Sequence, residues 1–389
     1  MSKCYIVVAL ESFMRDKGRF PHFMIKEIFE QPQAVRDTIT DNLSPKTGRV
    51  ELAVTRRIPR DASSTFKKIT IAASGTSRHA GIAGSYMIEE LSGIPVDVEY
   101  ASEFEYGNPI TGPEYLTIVI TQSGETADTL GAQRLAQTRG SRVLAITNVL
   151  DSTIAREADA VIHTQAGPEI SIASTKAFGA QLVALYLLAV YLGETRGTLS
   201  DEKVSQVVKE LLALPDRIEK VLAQNDLCEQ LAKRYYKMDD FLYIGRNVHY
   251  PIALDGALKL KETSYIHAEG YPAGEIKHGP YALIDEQVPV VGIATRDLSD
   301  PQSVLRAERT INNLREVKET GGRVIAVATE GDSEVADVAH HVITVPKAPE
   351  LLSPILEIVP LQMLAYHIAV HRGVDVDRPR NLVKSVTME

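Results

Sequence analysis

Tryptophan is absent from this chain and cysteine nearly so. Its two cysteines, Cys4 and Cys228, give neither a disulfide framework nor a thiolate metal cluster. A reducing cytoplasm suits that composition. No apolar run reaches the roughly 18 residues that would suggest a membrane span. The longest candidate, Ala180 to Leu192, is interrupted by Gln181 and reads as a buried helix. The apolar stretch Tyr5 to Leu10 lacks a convincing basic leader and a small-residue cleavage site, so no signal peptide is expected. Cations are in deficit: 42 Lys and Arg stand against 51 Asp and Glu, a formal net charge of -9. Broad binding to nucleic acid or an anionic membrane is therefore not expected, since no surplus of cations can replace phosphate counterions. A few local amides and hydroxyls can still hold one small phosphate.

What is present is ordinary for a globular protein. The 389 residues, 44% hydrophobic and 24% charged, exceed the usual size of a single core and favour two domains. Residues 24 to 43 carry apolar side chains at helical spacing, with a break near Pro32. Short β-branched runs then alternate with helical stretches. Strands are expected at Lys68 to Ala73, Val96 to Tyr100, Leu116 to Thr121, Arg142 to Thr147 and Ala160 to Thr164, and a long helix at Ser174 to Gly193. Such alternation implies a parallel sheet covered on both faces. Residues 200 to 236 read as helical, and a second set of strands follows at Phe241 to Ile244, Val288 to Ala294, Arg323 to Ala328 and His341 to Val345. The halves superimpose as sequence. Arg142-Val-Leu-Ala-Ile-Thr matches Arg323-Val-Ile-Ala-Val-Ala, and Ser152, Val161 and Ile162 match Ser333, Val342 and Ile343, all at an offset of 181 residues. That constancy points to an internal duplication.

Three stretches carry candidate chemistry. Thr121-Gln-Ser-Gly-Glu-Thr126 lies between a predicted strand and a predicted helix, where turn amides and a helix N-terminus face an anion. Gly124 permits close backbone approach, and Ser74-Gly-Thr-Ser77 repeats the pattern one strand earlier. An ordinary N-capped helix start has the same residue preferences. Both turns lack the lysine of a nucleotide-triphosphate loop and the glycine spacing of a dinucleotide fingerprint, which leaves a phosphate monoester. In Leu258-Lys-Leu-Lys-Glu262, Lys259 and Glu262 share a helix face, where a carboxylate can act as base beside a cation, although a surface ion pair is the commoner meaning. His278 is a proton shuttle or a loop histidine, and His267 reads as structural. The ending Asp377 to Glu389 reads as an extended tail, a kind of segment that usually frays.

These segments together resemble a known family. Ser74-Gly-Thr-Ser, Thr121-Gln-Ser-Gly-Glu-Thr-Ala-Asp-Thr, Ala173-Ser-Thr-Lys-Ala-Phe178, Leu258-Lys-Leu-Lys-Glu, Glu275-Ile-Lys-His-Gly-Pro280 and Pro379-Arg-Asn-Leu-Val-Lys-Ser-Val-Thr are similar, in order, to the isomerase half of glutamine-dependent glucosamine-6-phosphate synthases. The resemblance implies an α/β fold of two flavodoxin-like sugar isomerase (SIS) domains, each a parallel sheet with helices on both faces. On that basis residues 67–198 and 237–375 are the two domains. Residues 16–66 are a helical entry, 199–236 a helical connector and 376–389 an active-site tail, with 1–15 unassigned. The resemblance places the sugar phosphate on Ser77, Thr121, Gln122, Ser123 and Thr126, with Ser174 near the sugar. It makes Glu262 the proton carrier between C1 and C2 assisted by Lys259, His278 a ring-opening group supplied by the neighbouring subunit of a homodimer, and Lys384 the amine that forms a Schiff base with the open-chain ketose. No metal or organic cofactor is implied.

Two departures from the family pattern are small: Ser74 stands where cysteine is usual, and Thr121 where serine is common. A larger one is the start, Met1-Ser2-Lys3-Cys4, where family members carry a glutamine-hydrolysing domain beginning Met-Cys-Gly. The expectation is an enzyme on fructose 6-phosphate or glucosamine 6-phosphate that takes ammonia, free or from a separate glutaminase chain, and does not use glutamine by itself. Deamination, plain aldose-ketose isomerisation and, from another class, a non-catalytic sugar-phosphate sensor are the alternatives. A sensor needs only the phosphate turns, so Glu262, His278 and Lys384 together favour catalysis.

Overall fold

A computed structural model describes residues 16–44, 46–52 and 65–387. The unassigned 1–15 segment and Cys4 lie outside these residues.

The described chain begins with α1 (Phe23–Phe29) and α2 (Gln31–Asp41). Pro32 falls in the first turn of α2, where its missing N–H costs nothing. The first α/β half follows as β1 (Lys68–Ala73), α3 (Gly75–Ser92), β2 (Val96–Tyr100), α4 (Ala101–Phe104), β3 (Tyr115–Thr121), α5 (Ala127–Thr138), β4 (Arg142–Thr147), α6 (Thr153–Glu157), β5 (Ala160–His163) and α7 (Lys176–Arg196). Three helices bridge the halves: α8 (Asp201–Leu212), α9 (Leu214–Leu222) and α10 (Asn225–Tyr235). The second half is β6 (Asp240–Gly245), α11 (Tyr250–Ser264), β7 (His267–Pro272), β8 (Val290–Ala294), α12 (Pro301–Glu319), β9 (Val324–Thr329), α13 (Ser333–Val338), β10 (His341–Val345) and α14 (Ser353–His371).

Both sheets are parallel and five-stranded, with orders β2-β1-β3-β4-β5 and β7-β6-β8-β9-β10. The duplication inferred from sequence is thus repeated as topology. Central strands such as β9 are buried at every residue, which is why they read as unbroken apolar runs and not as alternating ones. Strand β7 was not expected. Its segment, His-Ala-Glu-Gly-Tyr-Pro, carries Gly270 and Pro272 and little β-branching. As an edge strand paired with β6, it tolerates both. His267 ties this edge down, with Nδ1 2.7 Å from Asp240.

Helix α7 is buried from Lys176 to Gly193 and α14 from Ser353 to Ala369. A helix apolar on every side must be covered on every side, and here each is sandwiched inside the fold. Helix α7 also runs longer than the apolar stretch seen in the sequence. It packs on α3, where a Cβ at Gly84 would stand 2.7 Å from Leu185. Helix α3 in turn packs on α11, so the first half touches the second directly behind the ends of β1 and β6. Replacing the buried Leu185 by alanine leaves a cavity at the α3–α7 contact. The expected cost is about 2–5 kcal/mol, read as a lower denaturant midpoint with an unchanged m-value.

Candidate active site

Strands β1 and β3 are neighbours, but the chain leaves them toward opposite edges of the sheet. At such a switch point a crevice opens beyond the carboxyl ends of the strands. Helices α3 and α5 start at its two sides. Their N-caps, Ser74 and Thr126, make no side-chain capping hydrogen bond, so the N-capped reading of these turns does not hold. The helix dipoles and the first-turn amides that remain free favour an anion there; one of them, Ala127 of α5, is taken by the Val386 carbonyl. The cleft measures about 130 Å³ and is lined by Ser77, Thr121, Gln122, Ser123, Thr126 and Ser174, together with Lys384.

The hydroxyls are already oriented. Thr121 Oγ1 lies 3.0 Å from Thr126 Oγ1 and accepts from the Gly124 amide at 3.3 Å, while Ser123 Oγ accepts from the Glu125 amide at 3.2 Å. Gln181 of α7 donates to Ser77 Oγ at 3.0 Å. Gly124 sits at φ +72°, and a Cβ on it would meet Ser152 Oγ at 2.0 Å. Both facts demand glycine.

The described part of the C-terminal tail, through residue 387, is hydrogen-bonded to the rest of the fold. Asp377 accepts from the amides of Phe23 and Met24 at 3.0 and 2.9 Å, capping α1, and the Ile172 amide donates to its carbonyl at 3.1 Å. Farther on, Ser385 Oγ lies 2.9 Å from Ser123 Oγ, and the Val386 carbonyl accepts from the Ala127 amide at 3.1 Å. Between these anchors Lys384 Nζ donates to Glu169 Oε2 at 2.6 Å and to the Ser171 carbonyl at 2.7 Å. Glu169 is fully buried and also accepts from the Thr175 and Ala177 amides and from Ser174 Oγ. Burial pushes its carboxyl up, but the Lys384 ammonium and the two amides outweigh this and hold it below the usual carboxylate range. Glu169 and Asp377 were not singled out from sequence, because each acts on a segment some two hundred residues or more away.

Helix α11 brings the second half to the same place. Lys259 is completely buried, with Nζ 2.5 Å from Glu262 Oε2 and 2.9 Å from Thr76 Oγ1 at the start of α3. The surface ion pair that its spacing ordinarily means is therefore not what forms. Burial alone would lower the Lys259 pKa, but Glu262 and Asp255 hold it above the ordinary lysine value, so the amine stays charged. A second cross-contact, His79 Nδ1 to Asp255 Oδ1 at 3.2 Å, clamps α3 to α11. Seven of the ten candidate residues thus line one cleft, and Lys259 and Glu262 join it through Thr76. His278 does not: it stands exposed on a 3₁₀ turn, Glu275–His278, away from the cleft lining.

With this geometry in hand, comparison with known proteins is informative. Residues 64–191 and 235–372 each match the SIS domain, one match over each sheet. The chain belongs to the SIS domain family. An isomerizing glutamine–fructose-6-phosphate aminotransferase of Chlorobaculum tepidum is 50% identical over 374 residues, which is 96% of this chain and 59% of that protein. The chain therefore spans about three fifths of the curated relatives it matches. The C-terminal domain of the glucosamine-fructose-6-phosphate aminotransferase of Francisella tularensis superimposes with a TM-score of 0.87 at 36% identity, covering 94% of this chain and 99% of that domain. A glucosamine-6-phosphate deaminase of Thermotoga maritima, 23% identical with a TM-score of 0.69 over 94% of this chain and 99% of that one, shares the fold.

The second SIS domain pairs the equivalent positions within itself. Glu350 stands 181 residues after Glu169, and Glu357 the same distance after Lys176. Glu350 accepts from Arg306 Nε at 2.7 Å and from Ser303, and lies 3.1 Å from His249 Nε2, while Glu357 lies 3.0 Å from His249 Nδ1 and accepts from Thr295 Oγ1 at 2.5 Å. Where Glu169 reaches out to the tail, Glu350 is satisfied within its own SIS domain. Burial would push His249 down, but Glu357 and Glu350 raise its pKa to about 10. Glu350, pushed up by burial and pulled down more strongly by His249, sits at about 2.

Two outcomes follow from this geometry. Gly124→Ala distorts the turn and weakens binding of inorganic phosphate in the cleft by at least about tenfold, or about 1.4 kcal/mol, measured by calorimetry. The His249 contribution to stability is complete below its unfolded value of 6.5 and is lost as pH rises through about 10, whereas that of Glu350 is complete above 4.5 and lost as pH falls toward 2. His249→Gln therefore costs about 3–5 kcal/mol near pH 6 and visibly less near pH 10, measured by denaturant unfolding at both.

Proposed function

We propose that the cleft of the first SIS domain converts fructose 6-phosphate and ammonia into glucosamine 6-phosphate, with Lys384 as nucleophile and Glu262 as proton carrier. The observation that carries this reading is the convergence of three separate segments on one cleft: uncapped helix starts with oriented hydroxyls, an amine delivered by the tail, and a lysine–glutamate pair delivered by α11. That relatives are isomerizing aminotransferases on fructose 6-phosphate agrees with it. In this account Ser77, Thr121, Gln122, Ser123 and Thr126 hold the phosphate and Ser174 the sugar.

With Glu169 ionised, Lys384 is held as its ion-pair partner and must give up a proton before it attacks the C2 carbonyl. Attack and loss of water give a Schiff base. Ammonia then displaces the lysine, leaving an imine at C2, and Glu262 takes a proton from C1 and returns it to C2, which completes the change from ketose to amino aldose. The charged, buried Lys259 beside Glu262 holds that carboxylate in place for the first transfer. His278, exposed and remote from the cleft of its own chain, opens the sugar ring in the cleft of a homodimer partner. Ammonia arrives from solution or from a glutaminase, and the chemistry takes place in a reducing cytoplasm.

The test follows glucosamine 6-phosphate and glucose 6-phosphate formed from fructose 6-phosphate with ammonium, with glutamine or with neither. Glucosamine 6-phosphate with ammonium is expected, falling by about 10²–10⁴-fold in Glu262→Gln and to background amination in Lys384→Ala. Glucose 6-phosphate alone makes the chain a plain isomerase. Turnover only in the direction of fructose 6-phosphate makes it a deaminase, and tight hexose-phosphate binding with no turnover makes it a sensor.

A further inference from the structure

Glu27 has no place in the chemistry above, yet it is 2% exposed and its carboxylate faces the segment that receives Lys384. Its Oε1 accepts from the Ile170 amide at 2.5 Å, and both its oxygens lie 3.3 Å from the Ser171 amide. The two residues on either side of Ile170, Glu169 and Ser171, supply the two acceptors that grip the Lys384 amine. Helix α1, which carries Glu27, is itself capped by Asp377 at the root of the tail that carries Lys384. The tail and the segment that receives it are thus pinned to one short helix, about a turn apart.

We propose that Glu27 is a positioning residue for Lys384: by accepting from the Ile170 and Ser171 amides it fixes the peptide whose neighbours aim the lysine amine at the cleft. The proposal rests on the reading of Lys384 as nucleophile given above. What the position requires is an acceptor, not a charge. Burial, and after it the nearby Glu169, push the Glu27 carboxyl up to about 8, so near neutral pH it is largely protonated and still offers lone pairs to both amides. Glutamine offers the same acceptor. Methionine fills the same volume without one.

The experiment uses the full chain as wild type, E27Q and E27M. Limiting acetic anhydride, with mass-spectrometric readout of acetylation at Lys384, reports how firmly the amine is held, and initial rates with fructose 6-phosphate and ammonium report its alignment. Lys384 in E27M is expected to acetylate several times faster than in wild type. Its kcat is expected to fall about 10–100-fold, with KM for the phosphosugar within about twofold of wild type because the phosphate turns are untouched. E27Q is expected to follow wild type in both measurements. Wild-type acetylation of Lys384 in E27M overturns the proposal, as does an E27Q as impaired as E27M. A wild-type chain that turns over no hexose phosphate, while acetylation still separates E27M from E27Q, sinks the functional reading and leaves the positioning role standing.

Discussion

A carboxylate sunk completely in the interior needs partners, and Glu169 finds them in two backbone amides, a serine hydroxyl and the amine of Lys384. Leaving such a charge unpaired would cost several kcal/mol, so the tail is held in place by the need of the buried acid. The rest of the cleft depends on that hold. With the tail seated, Ser385 meets Ser123 and the Val386 carbonyl takes the first amide of α5, which closes one side of the phosphate turns. The same seating carries Asp377 to the start of α1 and so ties the entry helices, the first sheet and the tail into one unit.

The two SIS domains share a strand order and an offset of 181 residues, and they have spent the same position differently. In the first, the buried glutamate at the mouth of the sheet is neutralised by a lysine from outside the domain. In the second, His249 and Arg306 neutralise Glu350 from within, and the second glutamate, Glu357, stands where the first domain has Lys176. The glutamates at these positions are thus engaged by ion pairs inside the second domain. The second domain contributes through α11, whose Lys259 and Glu262 reach the first domain's cleft across the α3–α11 contact. One cleft, built from both halves, is the arrangement that results.

Much of this was legible in the sequence. β-branched runs set between helical stretches located nine of the ten strands, because buried parallel strands are continuous in hydrophobicity and bounded by turns. The duplication followed from the spacing of those runs. Strand β7 escaped because an edge strand has no need of the apolar pattern that marks a central one. At the cleft, Ser77, Thr121, Gln122, Ser123 and Thr126 were visible as turn chemistry at a strand end. Glu27, Glu169 and Asp377 were not, since each has a partner more than a hundred residues away, which leaves no local spacing to find. The active-site tail came from the resemblance and not from its own residues: nothing within residues 376–389 says that Glu169 waits for Lys384. Which ion pairs are buried was also hidden, for Lys259 and Glu262 have the spacing of any exposed helical pair.

The central claim is that Lys384 attacks the open-chain ketose. Borohydride reduction of the chain in the presence of fructose 6-phosphate, followed by peptide mass spectrometry, tests it directly, because reduction turns a Schiff base into a stable secondary amine. The account predicts a hexitol 6-phosphate adduct on the peptide containing Lys384, absent without sugar and suppressed by excess ammonium. An active chain that yields no adduct, or yields it on another lysine, would contradict it.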